Sequence, residues 1–271
     1  REIVRSDFVK MEPADSSHAC GCLQDTDGSG ATRSEEEVER RSLEDLQVAL
    51  QEAQRQGIKL VIIGGYAVAA YTRGYRYTKD IDLVADMPTL GRLKRLLKDR
   101  DYAVRDTEFG IAGRKKLNGG FIDLHISVGR IYDISTEKVY PVDSSFFKNS
   151  RRLTITGHIS KATSLKAAVV ELETLIILKT MPMRRDKDAV DLISLLRDRR
   201  KELNLETVAD RAESAGLTDH LLERVRDYAK RLRENDLDRV WFGTTATRLT
   251  FSEKREIGQV FSNLANQLRS R

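Results

Sequence analysis

Cysteine is nearly absent: Cys20 and Cys22 are the only two in 271 residues, which excludes a disulfide framework. Long hydrophobic runs are missing too, and none approaches the roughly 20 apolar residues that a membrane helix requires. The first residues show no signal-peptide pattern. These absences predict a cytoplasmic protein that makes no membrane contact. No internal repeat is present, which removes solenoids and propellers from consideration. Acid and base nearly balance, for a formal net charge of +5. The surplus is uneven, with 24 Lys/Arg against 18 Asp/Glu in residues 151–271 and 23 against 24 in residues 1–150. A basic C-terminal half attracts anionic partners such as RNA or DNA, and solvated helix faces give the same count.

What is present suffices for a core, since 40% of the residues are apolar. Residues 1–33 are polar and irregular and read as an arm. Ser34 followed by Glu37 forms a capping box, after which Val38, Leu43, Leu46 and Leu50 continue a helix that Gly57 stops. "IKLVII" (58–63) is a short β-branched run ending at Gly64 and Gly65, which predicts a central strand. A brief helix spans Tyr66 to Tyr71, and "DIDLVAD" opens a second strand. Pro88 starts a further helix on an apolar face of Leu90, Leu93, Leu96 and Leu97. Residues 102–156 break into short β-like runs separated by glycine. Everything after Lys161 reads as helical, including "SLKAAVVELETLIILKT", "DKDAVDLISLLRDRR" and segments near 204–215, 218–234 and 252–269. The expected order is a mixed sheet domain over 34–160 and an all-helical domain over 161–271, an α+β chain.

Chemistry concentrates in "GGYAVAAYTRGYRYTKDIDLVAD" (64–86). Asp80 and Asp82 lie at i and i+2 on a strand, so both carboxylates share one face, and their repulsion calls for a cation between them. The bland alternative makes Asp80 a cap and Asp82 a salt-bridge partner of Arg73, Arg76 or Lys79. Gly64 and Gly65, placed between a buried strand and a helix start, can expose backbone N–H groups to a phosphate. In "FIDLHIS", Asp123 sits alone between Ile122 and Leu124, where an unpaired acid is costly. A strand with one aspartate beside a strand with two can assemble an oxygen-rich site suited to Mg²⁺. His125 shares the face of Asp123 and reads as a structural histidine.

This combination of strand, Gly64-Gly65, short helix, Asp80-Ile81-Asp82 and later single Asp123 resembles the nucleotidyltransferase fold of the DNA polymerase β superfamily. "GGYAVAAYTRGYRYTKDIDL" is most similar to groups that include abortive-infection and toxin–antitoxin nucleotidyltransferases. "MRRDKDAVDLISLL" resembles a helix those groups place after the sheet domain. The resemblance covers residues 58–197. It implies that Asp80, Asp82 and Asp123 bind two Mg²⁺ ions and serve catalysis, and that an NTP donates its NMP to a hydroxyl, with pyrophosphate leaving. It also implies nucleotide contacts from Gly64, Gly65, Lys187, Arg76 and Lys79, with Asp188 and Asp191 orienting Lys187 or the acceptor. Many relatives carry serine where this chain has Gly65. Ordinary pairing of Lys187 with Asp191 and of Arg184 with Asp188 explains the helical segment equally well, and Arg76 and Lys79 can instead cover the sheet edge. The implied acceptor is RNA, such as tRNA, or a partner protein, reached through the basic helical half. The alternative is a non-catalytic module of the same fold that binds nucleic acid or protein.

Three further features carry competing readings. Asp25, Asp27, Ser29, Gly30 and Glu36 fall on calcium-loop positions, but Thr32 and Pro13 break the pattern, which leaves a glycine-rich loop as the default. His18, Cys20 and Cys22 are too cramped for one tetrahedral ion. Trp241 and Phe242 form either a stacking platform for a base or a buried anchor for the last helices.

Overall fold

A computed structural model describes residues 33–118, 120–183 and 186–271. The glycine-rich loop, the His18/Cys20/Cys22 cluster, the Ser34 side chain and Arg184 lie outside what it describes. Ala31–Arg271 forms one compact unit.

The elements run α1 (Arg33–Arg55), β1 (Leu60–Ile63), α2 (Gly64–Tyr71), β2 (Ile81–Ala85), α3 (Leu90–Lys98), β3 (Ala103–Thr107), β4 (Gly110–Leu117) and β5 (Gly120–Val128). A hairpin of β6 (Arg130–Asp133) and β7 (Lys138–Pro141) leads through α4 (Ser144–Lys148) to β8 (Arg151–Thr156) and β9 (Ser164–Val169). Six helices follow: α5 (Leu172–Thr180), α6 (Asp186–Arg199), α7 (Leu205–Ser214), α8 (Thr218–Arg233), α9 (Asp236–Thr245) and α10 (Phe251–Arg269). The main sheet is mixed and seven-stranded, in the order β3-β4-β5-β2-β1-β9-β8. Within it β5 and β2 are parallel, β2 and β1 antiparallel, and β1 and β9 parallel. The architecture is thus α+β, a mixed sheet flanked by helices and followed by a helical region. Among the described residues no helix is long and apolar enough to cross a membrane.

Residues 164–169 correct the helical reading of "SLKAAVVELETLIILKT": they form β9, and only Leu172–Thr180 is helix. Leu165 and Val169 fit both a period of 3.6 and a period of 2, but Ala167 is buried between them while Ser164 and Lys166 are exposed. Pairing with β8 and β1 selects the strand. Helix α5 is buried nearly all round, which is what a helix wedged inside a core requires. Helices α4 and α9 and strand β7 were not legible in the pattern.

Two acids, the buried Glu39 and the partly buried Asp45, fix α1. Glu39 accepts backbone N–H bonds from His158, Ile159 and Ser160 at 2.8–2.9 Å, closing the turn between β8 and β9. Asp45 accepts from Arg100 (2.6 Å), the Tyr102 hydroxyl (2.6 Å) and Lys115 (2.9 Å), tying α1 to the turn between α3 and β3 and to β4. Burial pushes the Asp45 carboxyl up, but those three donors more than offset it and hold it below the ordinary range.

The candidate active site

Register decides which face each acid occupies. Lys115 lies opposite Ile122 on β5 and reaches Asp45 of α1, whereas its neighbour Arg114 lies opposite Asp123 and bonds it, so β5 turns Ile122 toward α1 and Asp123 away. In the parallel β2–β5 pair Ile81 faces Leu124 and Asp82 faces His125. One more step of that register sets Asp80 beside Asp123. All three aspartates and His125 therefore share the face turned away from α1, while Ile81, Leu83, Ile122 and Leu124 are buried on the other.

Asp82 sits at the entrance of β2, opposite Ile63, the last residue of β1. Gly64 follows with φ +67° and presses its Cα against the Asp82 carboxylate. A Cβ there would overlap Asp82 Oδ2 and stand 2.8 Å from Asp82 Cβ and Cγ, so only glycine permits the corner. A Cβ on Gly65 would meet Thr78 Oγ1 at 2.6 Å. Thr78 therefore fills the space that a serine side chain would occupy at position 65.

The acids differ in their partners. Among the described residues Asp80 forms no ion pair, and Asp82 has only His125, whose Nδ1 stands 3.5 Å from Oδ1. Asp123 accepts from Arg114 Nε at 2.6 Å. The Asp82 hydrogen bond holds the His125 imidazole above its ordinary range against partial desolvation, and the charges of Asp82, Asp80 and Asp123 add to it. His125, which the sequence presents as a structural histidine, stands beside Asp82, and its place two residues after Asp123 is the signal for that. Among the described residues no group of three or more His, Cys, Asp or Glu is drawn close enough to enclose a metal ion. The donor set at Asp80 and Asp82 nonetheless fits Mg²⁺, which takes one or two carboxylates and completes its shell with water and substrate phosphate.

The helical segment is arranged differently from either sequence expectation. Asp191 is 1% exposed in its side chain and accepts a bidentate bond from Arg76 Nε (2.6 Å) and Nη2 (2.7 Å). Lys179, buried in α5, completes the cluster with contacts to Asp191 (2.7 Å) and Asp188 (3.0 Å). Burial opposes charge on Lys179 and Asp191, yet mutual attraction wins, holding Lys179 above and Asp191 below their ordinary ranges. Lys187 is exposed and does not pair with Asp191, which corrects the surface ion-pair reading. Arg76 has its fork on Asp191, while Lys79 is exposed one residue before Asp80. Trp241 is fully buried against Tyr75 (4.9 Å between rings), so it anchors the bundle, and Phe242 is exposed beside it.

A cavity of about 410 Å³ lies at the other end of β1, lined by Lys59, Leu60, Arg152 and Lys166 among others. The four residues of β1, roughly 13 Å of strand, separate Lys59 from Gly64.

Residues 45–170 match the sequence model of the aminoglycoside-2''-adenylyltransferase family. No curated protein matches the chain. Among solved structures, JHP933 from Helicobacter pylori is similar at 15% identity and a TM-score of 0.48, over 86% of this chain and 93% of that one. The antibiotic-resistance factor ANT(2'')-Ia is similar at 16% identity and 0.45, over 67% of this chain and 97% of that one. The lincosamide antibiotic adenylyltransferase LnuA is similar at 17% and 0.39, over 56% and 94%. These structural likenesses are distant; the matched sequence segment, which contains the glycine corner and all three aspartates, assigns residues 45–170 to the nucleotidyltransferase superfamily.

Proposed function

We propose that the chain transfers an NMP from an NTP to a hydroxyl of a small acceptor molecule, with Mg²⁺ held by Asp80 and Asp82. The observation that carries this reading is the pair of same-face carboxylates with no Lys or Arg partner among the described residues, of which Asp82 is pressed against Gly64 at the start of α2. A bound Mg²⁺ supplies charge neutralisation at the triphosphate. The backbone N–H groups of Gly64 and Gly65 at the N-terminus of α2 would face the phosphates, with the exposed Lys79 and Lys187 as cations available to them. Arg76 stays on Asp191, and its charge acts on the site through the field it shares with Asp82. The acceptor oxygen attacks the α-phosphorus, the bond to pyrophosphate breaks, and Asp123 accepts the hydroxyl proton once Arg114 swings aside. Arg114 is exposed and free to do so, and a second Mg²⁺ would require the same exchange at Asp123. Positioning and electrostatics carry the rate, as in phosphoryl transfer generally.

A small acceptor is favoured over RNA or protein by two observations. The matching family model is that of an aminoglycoside-modifying enzyme. Several basic side chains of the C-terminal half are also already held by acids of the same chain, Arg197 by Glu253, Arg211 by Glu171, Arg231 by Asp236, and Arg248 and Lys254 by Asp238, so they are not free to receive a polyanion. Incubation with Mg²⁺ and α-labelled ATP tests the reading, using aminoglycosides, lincosamides and total RNA as parallel acceptors and Asp82→Ala as control. Label is expected on a small molecule and only with Asp82 intact. Equal labelling by wild type and variant refutes the transfer, and labelling confined to RNA refutes the acceptor class.

A further inference from the structure

The cavity at the far end of β1 is lined by two kinds of polar side chain. Along α1, exposed Gln47, Gln51 and Gln54 recur at helical spacing, turned away from buried Leu46, Ala49 and Ala53. The β8–β9 hairpin and the start of β1 contribute Arg152, Lys166 and Lys59, all exposed. Arg152 pairs with Ala168 and Thr154 with Lys166, so Arg152 and Lys166 are diagonal neighbours on one face of the hairpin, roughly 7–8 Å apart. The alternate residues Ile155, Leu165 and Ala167 are buried in the core, which holds both cations outward. Lys59 immediately precedes β1, the strand beside β9. Among the described residues none of these three cations has an acid partner, and no Asp or Glu lines the cavity. Elsewhere this chain covers clustered cations with an acid, as Asp45 covers Arg100 and Lys115. A concave wall of one charge sign focuses its field inward and concentrates counter-ions there. Half-buried Leu50 and Phe147 add apolar surface to the lining.

We propose that this cavity binds a small phosphate monoester, with the phosphate among Lys59, Arg152 and Lys166 and the organic part against the glutamines. Two ammonium groups and one guanidinium fork match a dianionic phosphate better than a single carboxylate. The glutamine amides are neutral and each can donate and accept, as the hydroxyls or ring nitrogens of a sugar or nucleoside require. A volume of about 410 Å³ falls within the span of small-molecule sites, roughly 300–1,000 Å³. A nucleic-acid strand calls for cations that track its backbone along a groove, whereas these three line one cavity. The length of β1 lies between this cavity and the glycine corner, so the proposal does not rest on the nucleotidyl-transfer reading.

Calorimetric titration of the full chain without Mg²⁺ tests the proposal, with AMP, glycerol phosphate, inorganic phosphate, succinate and adenosine as probes. Both monoesters are expected to bind more tightly than inorganic phosphate, succinate more weakly still, and adenosine to give no heat. Lys166→Glu reverses one exposed charge and should lower the affinity for AMP at least tenfold, whereas Lys166→Arg should retain it. Gln51→Trp, at an exposed helix position, fills the cavity with all three cations intact and is expected to abolish binding, which decides the matter if Lys166→Glu fails to fold. Asp82→Asn should bind AMP like wild type, which separates this cavity from the nucleotidyl-transfer site. No heat from either monoester at tens of millimolar overturns the proposal. So does succinate or adenosine binding as tightly as AMP, or unchanged binding by Lys166→Glu or Gln51→Trp. A single-stranded RNA oligomer that binds more tightly than AMP, and loses that affinity in Lys166→Glu, overturns the small-molecule assignment.

Discussion

Replacing Gly64 by alanine tests how the glycine corner and the Asp82 carboxylate depend on one another. Gly64 and Gly74 have nearly the same backbone conformation, at φ +67° and +69°, but a Cβ at Gly74 meets nothing within 4 Å. Each alanine incurs the left-handed penalty, roughly 1–2 kcal/mol. Only Gly64→Ala adds steric overlap, because its methyl occupies the position of Asp82 Oδ2; overpacking of this kind costs about 1–3 kcal/mol. At about 2–4 °C per kcal/mol for a chain of this size, Gly64→Ala should melt roughly 2–12 °C below Gly74→Ala. Relief requires Asp82 to retreat by about 1 Å, and a misplacement of that size lowers a positioned reaction about 100-fold. Thermal melts of both variants and nucleotidyl transfer under identical Mg²⁺ provide the readout. Equal melting temperatures, or full transfer by Gly64→Ala, would show that the corner and the carboxylate are independent and refute the reasoning.

The other predictions concern the partners of the site. Gly65→Ser should destabilise the chain, and Thr78→Ala should recover part of the loss, with a coupling of about 0.5–3 kcal/mol in a urea double-mutant cycle; strict additivity would contradict the packing between them. Asp191→Ala leaves Lys179 and Arg76 buried without their shared carboxylate and should cost about 3–5 kcal/mol in urea denaturation, whereas Lys187→Ala on the exposed side of the same helix should stay within about 0.5 kcal/mol. His125 titrates above an ordinary histidine, so its stabilising contact with Asp82 is fully present below the unfolded-state pKa, about 6.5, and is lost as pH rises through the folded value. NMR titration should show the His125 midpoint falling in Asp82→Asn, and an unmoved midpoint would mean that the carboxylate is not its partner. Glu39→Gln removes a carboxylate that caps three backbone N–H groups and should lower stability by about 1–3 kcal/mol, measured by urea midpoint.

How much of this was legible beforehand follows from which signals are local. The alternation in "DIDLV" and "FIDLHIS" fixes side-chain faces within a strand, so the common face of Asp80 and Asp82, and that of Asp123 and His125, could be read from spacing alone. Gly64 and Gly65 announced a turn between strand and helix for the same reason. Spacing could not reveal that Thr78 fills the space above Gly65. The segment 164–169 shows the limit most plainly, since Leu165 and Val169 satisfy two periods and only the hydrogen-bonding edges offered by β1 and β8 choose between them.

The sequence by itself determined the local elements, the apolar faces and the two acidic motifs, because each depends on neighbours a few residues apart. Tertiary structure decided the partners. Arg76 reaches Asp191 across 115 positions of chain, Asp45 collects donors from the turn between α3 and β3 and from β4, and Arg114 occupies Asp123 because an antiparallel register brings them together. Charges attract over any sequence separation, and only the packed fold selects which of many complementary pairs can meet at hydrogen-bond distance.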